Sequence, residues 1–465
     1  MKKHSSWISA LMAAVMTLVL AVSWSQPAQA SGTLKIGMEA NYAPYNWTQT
    51  TSANGAVKID GTSSYANGYD VKIAKIIAKK LGKKVIVEKT QWDGLLPALT
   101  SGKIDLIIAG MSPTAERRKA INFTSPYRTT NFVVIVNKHS KYAKAKYLTN
   151  FKGAKLTAQQ GTLHYDLIKQ LPGAKREPAS KDFAAMRESL EAGTIDGYVA
   201  EDTELTSFQM MDSNITGVNL SKMKGFKVSS SDAEVSIGVK KGNDQLLRQV
   251  NKVLAGISTS ERNKLMKEAV QQQPQTSTKK ENWLVSMLKN YGQMILEGIG
   301  MTLLISLVGT IAGFFIGLLV GIVRTIPEPK NKFKKGLLAF CKWLLSVYVE
   351  VFRGTPMMVQ AAVIYYGIAQ FWHINLNRTV AALIIVSINT GAYLAEVIRG
   401  GIISTPKGQF EAASALGMTH NQRMWSIILP QAIRNCLPSI TNEFIVNIKD
   451  TSVLSIISVS ELFFV

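Results

Sequence analysis

The chain has 465 residues, enough for two or three domains, and its 46% hydrophobic and 18% charged content averages over two dissimilar halves. Lysine and arginine outnumber aspartate and glutamate 53 to 31, a formal charge of +22; signals for export and membrane insertion turn that excess away from nucleic acid and toward anionic lipid. Both cysteines, Cys341 and Cys436, lie in the C-terminal half, which excludes a disulfide framework, a thiol nucleophile or a cysteine metal site from the N-terminal half.

Lys2 and Lys3 precede an apolar stretch from Trp7 to Val22, closed by Ala28-Gln29-Ala30. That order predicts a secretory signal peptide over residues 1–30. An uncleaved anchor is the alternative, and either one exports the domain C-terminal to it. No cysteine stands near the cleavage position, which excludes lipoprotein processing.

Residues 31–270 alternate strand-like and helix-like segments. Thr33–Met38 predicts a first strand. Val71, Ala74, Ile77, Ala78 and Leu81 recur at helical spacing before Gly82, Val85–Val87 predicts a second strand, Asp93–Ser101 a short helix and Ile104–Ala109 a buried strand. Such alternation implies a mostly parallel α/β sheet. The pattern L-x-x-G-x-I-D occurs twice, from Leu99 to Asp105 and from Leu190 to Asp196. Each Gly predicts a helix cap before an apolar strand. Gly110 and Glu201 come after the two aspartates, at the predicted carboxyl ends of the strands, where open α/β sheets bind ligands. Two such units suggest two lobes around one cleft; coincidence of a common helix–strand turn is the alternative.

Residues 271–290 read as a linker, polar and carrying Pro274. Residues 291–465 change character. Met301 to Val323 is 23 residues without a charge; at about 1.5 Å per residue it spans a hydrocarbon core of roughly 30 Å. Gly354–Trp372 and Thr379–Ala395 are further candidate spans, and Asn435–Ile448 and Thr451–Val465 are apolar but interrupted. The basic loops Arg324–Lys342 and Arg399–Arg423 belong on the cytoplasmic side, leaving the N-terminal domain outside. Gly309, Gly313, Gly317 and Gly321 form a small-residue stripe, read either as a dimer seam or as packing inside its own bundle. Glu443, Lys449 and Asp450 are charges in apolar sequence, read as functional groups or as a helix end.

Arg117 lies in the first turn of a helix that Ser112 or Thr114 would cap. A cation there opposes the helix dipole and makes sense with an anion between them. Amides, a hydroxyl and a guanidinium together form a carboxylate site. The alternative is that Arg117 pairs with Glu116 or faces solvent. Glu201, at the matching strand end of the second lobe, is placed for an ammonium.

Glu411-Ala412-Ala413, Gly417, Ile427, Leu429 and Pro430 form E-A-A-x3-G-x9-I-x-L-P between two membrane segments. This resembles the cytoplasmic coupling loop of the permease subunits of ABC importers. The resemblance implies a short helix, narrow at Ala412, Ala413 and Ala415, seated in a groove on an ATPase, with Gly417 allowing the turn. Glu350–Pro356, Gly391–Tyr393 with Glu396–Gly401, and Lys449–Ser452 resemble the polar-amino-acid branch over residues 290–465. That family carries one more helix, so the permease is expected to lack its last helix.

Residues 33–270 resemble the periplasmic-type polar-amino-acid-binding proteins in Ile36–Glu39 with Tyr42–Tyr45, Gly68–Asp70, Trp92–Leu95, Ala109–Ser112 with Thr114, Glu116 and Arg117, Phe123–Tyr127, Gln160–Thr162 and Asp196–Glu201. The resemblance implies substrate contacts at Glu39, Tyr42, Trp92, Gly110, Ser112, Arg117, Gly161, Thr162 and Glu201. Gly161 and Thr162 would donate to the ligand carboxylate. Glu201 stands where the family usually has Asp. An acidic residue at Glu39 hints at a cationic ligand such as arginine, lysine or histidine, although glutamine binders share it.

The expected fold is therefore a two-lobed α/β periplasmic-binding-protein-like domain followed by an all-α transmembrane permease. The expected function is ATP-driven import of a polar amino acid by a multi-pass cell-membrane protein. No G-x-x-x-x-G-K-[ST] occurs, so ATP is expected on separate cytoplasmic ABC ATPase subunits, with no cofactor on this chain. A homodimer through the permease is the expected partner arrangement, in contact with membrane lipid and without nucleic acid. A ligand-gated channel or a sensory receptor is the alternative. A channel would place its pore between the lobe segments and a receptor would append a signalling domain; neither pattern is present.

Overall fold

The computed structural model describes residues 32–220, 225–273 and 283–464. The predicted signal peptide and the centre of the predicted linker lie outside the described residues. The linker's flanks are helical, 271–272 ending Thr259–Gln272 and 283–290 opening Trp283–Thr325. The chain divides into two compact units, one holding residues 27–292 and the other residues 293–465.

The first unit has two five-stranded sheets. In the first lobe, Thr33–Met38 lies between Lys84–Lys89 and Leu106–Ile107, parallel to both. Gly238–Lys240 then runs antiparallel between Leu106–Ile107 and Ile121–Phe123. In the second lobe, Gly197–Glu201 lies parallel to Lys155–Thr157 and antiparallel to Phe132–Asn137, which also pairs with Ile215–Asn219. Each sheet is mostly parallel, as expected, with four of its five strands running one way and one reversed, Gly238–Lys240 in the first and Phe132–Asn137 in the second. A ribbon of Arg128–Thr129 against Glu234–Val235 joins the lobes.

Local chemistry explains these elements. Phe132-Val133-Val134-Ile135-Val136 is buried throughout, as expected of a strand covered on both faces. It packs with Phe151, Leu156, Leu167 and Val199 in the core of the second lobe. The repeated L-x-x-G-x-I-D motif forms the same joint in both lobes. Gly102 and Gly193 take φ of +79° and +69°, a region costly for a side chain. The Asp105 carboxylate accepts from the Lys35 N–H at 2.8 Å, and the Asp196 carboxylate from the Lys155 N–H at 2.8 Å. Each aspartate thus pins the neighbouring strand, and the strand ends point to one side of each sheet.

The second unit is helical. Met287–Thr325 and Arg378–Ile403 are long and apolar enough to cross a membrane. Lys332–Gly354, Met357–Trp372 with an internal π turn, and Leu429–Asp450 complete the bundle. The helical segment expected over Gly354–Trp372 starts three residues later, at Met357, since the preceding helix ends at Gly354 and Pro356, whose ring is incompatible with a helix interior, separates the two. The glycine stripe packs inside the chain. A Cβ on Gly313 would lie 2.7 Å from Thr390 Cβ, and one on Gly317 2.8 Å from Leu394 Cβ; Gly309 and Gly321 face Val386 and Ile398. Lys449 and Asp450 close the helix Leu429–Asp450; Glu443 lies within it.

Candidate ligand-binding site

Asp70 is fully buried and accepts from Asn46 Nδ2 and Tyr127 Oη, each at 2.7 Å. Burial raises its pKa to about 7, and those two hydrogen bonds offset part of the rise. The Tyr127 hydroxyl in turn accepts from the Gly110 N–H at 3.3 Å. This chain of bonds holds the segment Ala109–Ser112 at the strand end. Gly110 has φ +62°, and a Cβ there would come within 2.9 Å of the Tyr42 ring. Glycine is thus needed for backbone conformation and for space.

Arg117 sits in the first turn of Ala115–Ala120, whose cap is Thr114. Its guanidinium donates to the Ser112 carbonyl and to the Gly161 carbonyl, both at 2.9 Å, and lies 4.9 Å over the Trp92 ring. Burial lowers its pKa to about 10, which leaves it charged at neutral pH. Gly161 belongs to the second lobe, so this contact closes the cleft. Trp92 Nε1 also donates to the Gly161 carbonyl at 3.3 Å, Gln159 Nε2 donates to Glu39 Oε1 at 2.9 Å, and Tyr42 stacks on Phe183 at 4.2 Å.

In this conformation Gly161 acts through its carbonyl, and the Thr162 hydroxyl donates to the Gln159 carbonyl at 2.7 Å. The hydroxyl expected to serve a carboxylate is thus engaged in its own turn. Ser112 contributes its carbonyl to holding Arg117.

Glu201 ends the strand Gly197–Glu201 and is 1% exposed. Among the described residues neither of its oxygens completes a hydrogen bond of normal geometry, and the same holds for Tyr42 Oη, Tyr45 Oη and both ring nitrogens of His164. Burial raises the Glu201 pKa to about 7; the hydroxyls of Tyr42 and Tyr45 stand close enough to offset part of that. His164 Nε2 lies 3.7 Å from Glu201 Oε1. Burial lowers the His164 pKa to about 3, aided by the charge on Arg117, so at neutral pH this contact is not an ion pair. Glu39 is raised to about 8, first by burial, then by Asp182 and Asp93, against the opposing Gln159 bond.

The structure brings Glu39, Tyr42, Trp92, Gly110, Ser112, Arg117, Gly161, Thr162 and Glu201 to one cleft between the lobes. It adds Gln159, His164, Phe183 and the supports Asp70 and Tyr127. Of these, Asp70 and Tyr127 fall within motifs shared with the amino-acid-binding proteins, but nothing local signals the other three.

In the helical unit, Lys407–Ala415 is a separate short helix. Ala413 is buried, while Glu411 and Ala412 face outward and Leu416 is 80% exposed. Gly417 has φ +70°, and its N–H donates to the Ser414 carbonyl at 2.9 Å, a left-handed helix end. Arg423 donates to Ser414 Oγ from the next turn.

Bacterial extracellular solute-binding proteins, family 3, match residues 34–272, and binding-protein-dependent transport system inner membrane components match residues 336–464. The chain belongs to both families. It is a family 3 solute-binding domain fused to an inner-membrane transport component. The L-cystine transport system permease protein TcyB of Bacillus subtilis is 40% identical over 154 residues, 33% of this chain and 63% of that protein. The glutamine transport system permease protein GlnP of Escherichia coli is 38% identical over 174 residues, 36% of this chain and 73% of that protein. An ancestral arginine-binding protein solved with arginine is 30% identical, covering 51% of this chain and 97% of its own, with a TM-score of 0.43. The fused chain is thus akin to transport permeases, and the channel and receptor alternatives are not favoured.

Proposed function

We propose that the protein imports a polar amino acid, its binding domain extracellular and its permease paired with a second copy. ATP is hydrolysed by separate cytoplasmic subunits, and this chain carries no cofactor. One observation carries the ligand reading: Arg117 and Glu201 reach a single cleft from opposite lobes, one a fixed cation and the other a buried carboxylate that no cation neutralises among the described residues. A free amino acid carries the two complementary charges. Its carboxylate would pair with Arg117 and its ammonium with Glu201, and only the closed arrangement offers both, so ligand favours closure.

Glu39, with Asp93 and Asp182 nearby, lines the side-chain end of the cleft; with its pKa raised to about 8 it is mostly protonated in the ligand-free protein at neutral pH, and a cation beside it would favour its ionised form. It suits a side chain that is cationic or donates hydrogen bonds, such as arginine, lysine, histidine or glutamine. The helix Lys407–Ala415 with Glu411, Ala412, Ala413 and Gly417 is the surface offered to the ATPase, its outward alanine leaving room for a close approach.

A thermal-shift screen of the purified chain against the twenty amino acids tests the reading. Stabilisation by one or a few polar members is expected. No shift with any of them overturns it.

A further inference from the structure

A buried polar atom without a hydrogen bond costs about 1–3 kcal/mol, yet this cleft gathers several in one place. Among the described residues, both Glu201 oxygens, both His164 ring nitrogens and the hydroxyls of Tyr42, Tyr45 and Thr203 complete no hydrogen bond of normal geometry, although the two tyrosine hydroxyls stand near the Glu201 carboxylate. Glu201 and His164 are 1% and 8% exposed. The His164 ring stands edge-on to Phe132 at 5.2 Å, and Phe132 is the register partner of Glu201 on the next strand. The imidazole is therefore wedged beside the carboxylate rather than free to swing away. At 3.7 Å the two are too far apart to bond each other. A neutral imidazole offers one donor and one acceptor nitrogen. Two acceptors at this separation lie within reach of a single group carrying several N–H donors.

We propose that His164 is the second acceptor of an ammonium subsite, taking one N–H of the ligand's α-ammonium while Glu201 takes another. This rests on the amino-acid reading of the cleft. The third N–H falls to the Tyr42 or Tyr45 hydroxyl. The subsite selects against ligands that lack the amine, because an analogue without it leaves Glu201 and His164 buried and unpaired. His164 is thus a specificity-determining residue that no motif in the sequence marks.

The test is calorimetry on the full chain, using the amino acid that shifts the melting temperature most and its desamino analogue, the latter measured by competition. L-arginine with 5-guanidinovalerate and L-glutamine with 4-carbamoylbutyrate are such pairs. For His164→Leu the amino acid is expected to lose roughly ten- to a hundredfold in affinity, the range of one charge-assisted hydrogen bond, and the analogue no more than about twofold. His164→Gln, which restores an acceptor, recovers most of the loss. Equal losses for both members of the pair, or an unchanged amino-acid affinity, overturn the inference while leaving the import reading standing. A wild-type chain that binds no amino acid overturns the import reading itself, and the inference with it.

Discussion

Two clusters of buried polar side chains, one in each unit, are built in opposite ways. In the helical unit Asn447 Nδ2 donates to Thr310 Oγ1 at 2.9 Å, Thr390 Oγ1 donates to Asn447 Oδ1 at 3.1 Å, and Asn389 Nδ2 donates to Gln360 Oε1 at 2.9 Å. Gln360 also donates to the carbonyls of Phe352 and Thr355, at the break before Pro356. These groups satisfy one another and tie helices together. In the binding unit, Glu201, His164, Tyr42 and Tyr45 are also buried and crowd together, yet among the described residues none of their polar atoms completes a hydrogen bond of normal geometry. Polar groups that close on each other hold a fold, whereas groups that converge without closing are built for something that arrives from outside.

The sharpest way to break this contrast is Arg117→Ala. Removing the fixed cation is expected to weaken amino-acid binding by more than about a hundredfold, as losing one partner of a buried charge pair does; unchanged calorimetric affinity would sink the carboxylate role. Gly417→Asp moves the test to the other unit. It forces a side chain into a left-handed turn at the proposed ATPase surface, so uptake into proteoliposomes supplied with the ATPase should fall to background while ligand affinity stays the same.

Protonation probes the unpaired carboxylates directly. An ammonium needs Glu201 ionised, and burial holds its pKa near 7. Ligand affinity should therefore fall up to about tenfold per pH unit below 7. Ligand-free stability should run the other way. Glu39, Asp70 and Glu201 all have folded pKa values raised above their usual range, to about 8, 7 and 7. The folded state therefore binds more protons than the unfolded state between about pH 4.5 and 8, and these groups make stability decline as pH rises through that window. Melting curves with and without ligand from pH 5 to 8.5 check both signs.

Smaller effects belong to the helical unit. Gly317→Val drives a side chain into Leu394 and Ala395 and should cost about 1–3 kcal/mol of stability, as overpacking does. Asn447→Ala opens the hydrogen-bonded triad and should cost about 0.6–1.7 kcal/mol, the range for such bonds between membrane helices. Both are read from thermal denaturation in detergent, and both should leave ligand affinity unchanged.

Much of the fold was legible in the sequence because it is written locally. The first strand Thr33–Met38, the glycine after each helix in the repeated L-x-x-G-x-I-D motif and the helix cap at Thr114 come from period, propensity and hydrogen-bonding capacity within a few residues. The turn at Gly417 was expected instead from the resemblance to the coupling loop. The one reversed strand in each sheet was not legible, because strand direction depends on where a chain returns, not on its composition. The helix start at Met357 was available from the chemistry of Pro356, but the apolar stretch suggested a start at Gly354.

By itself, the sequence determined the order of the two units, many of the strand and helix segments, Glu201 at a strand end and Arg117 in the first turn of a capped helix. Only the tertiary structure decided which side chains face one another. Gln159 meets Glu39 from 120 positions away, Phe183 stacks on Tyr42, His164 is set beside Glu201, and the glycine stripe packs against its own chain's Val386–Ile398. Contacts across a cleft or between helices join residues far apart in the chain, and local periodicity carries no record of the partner.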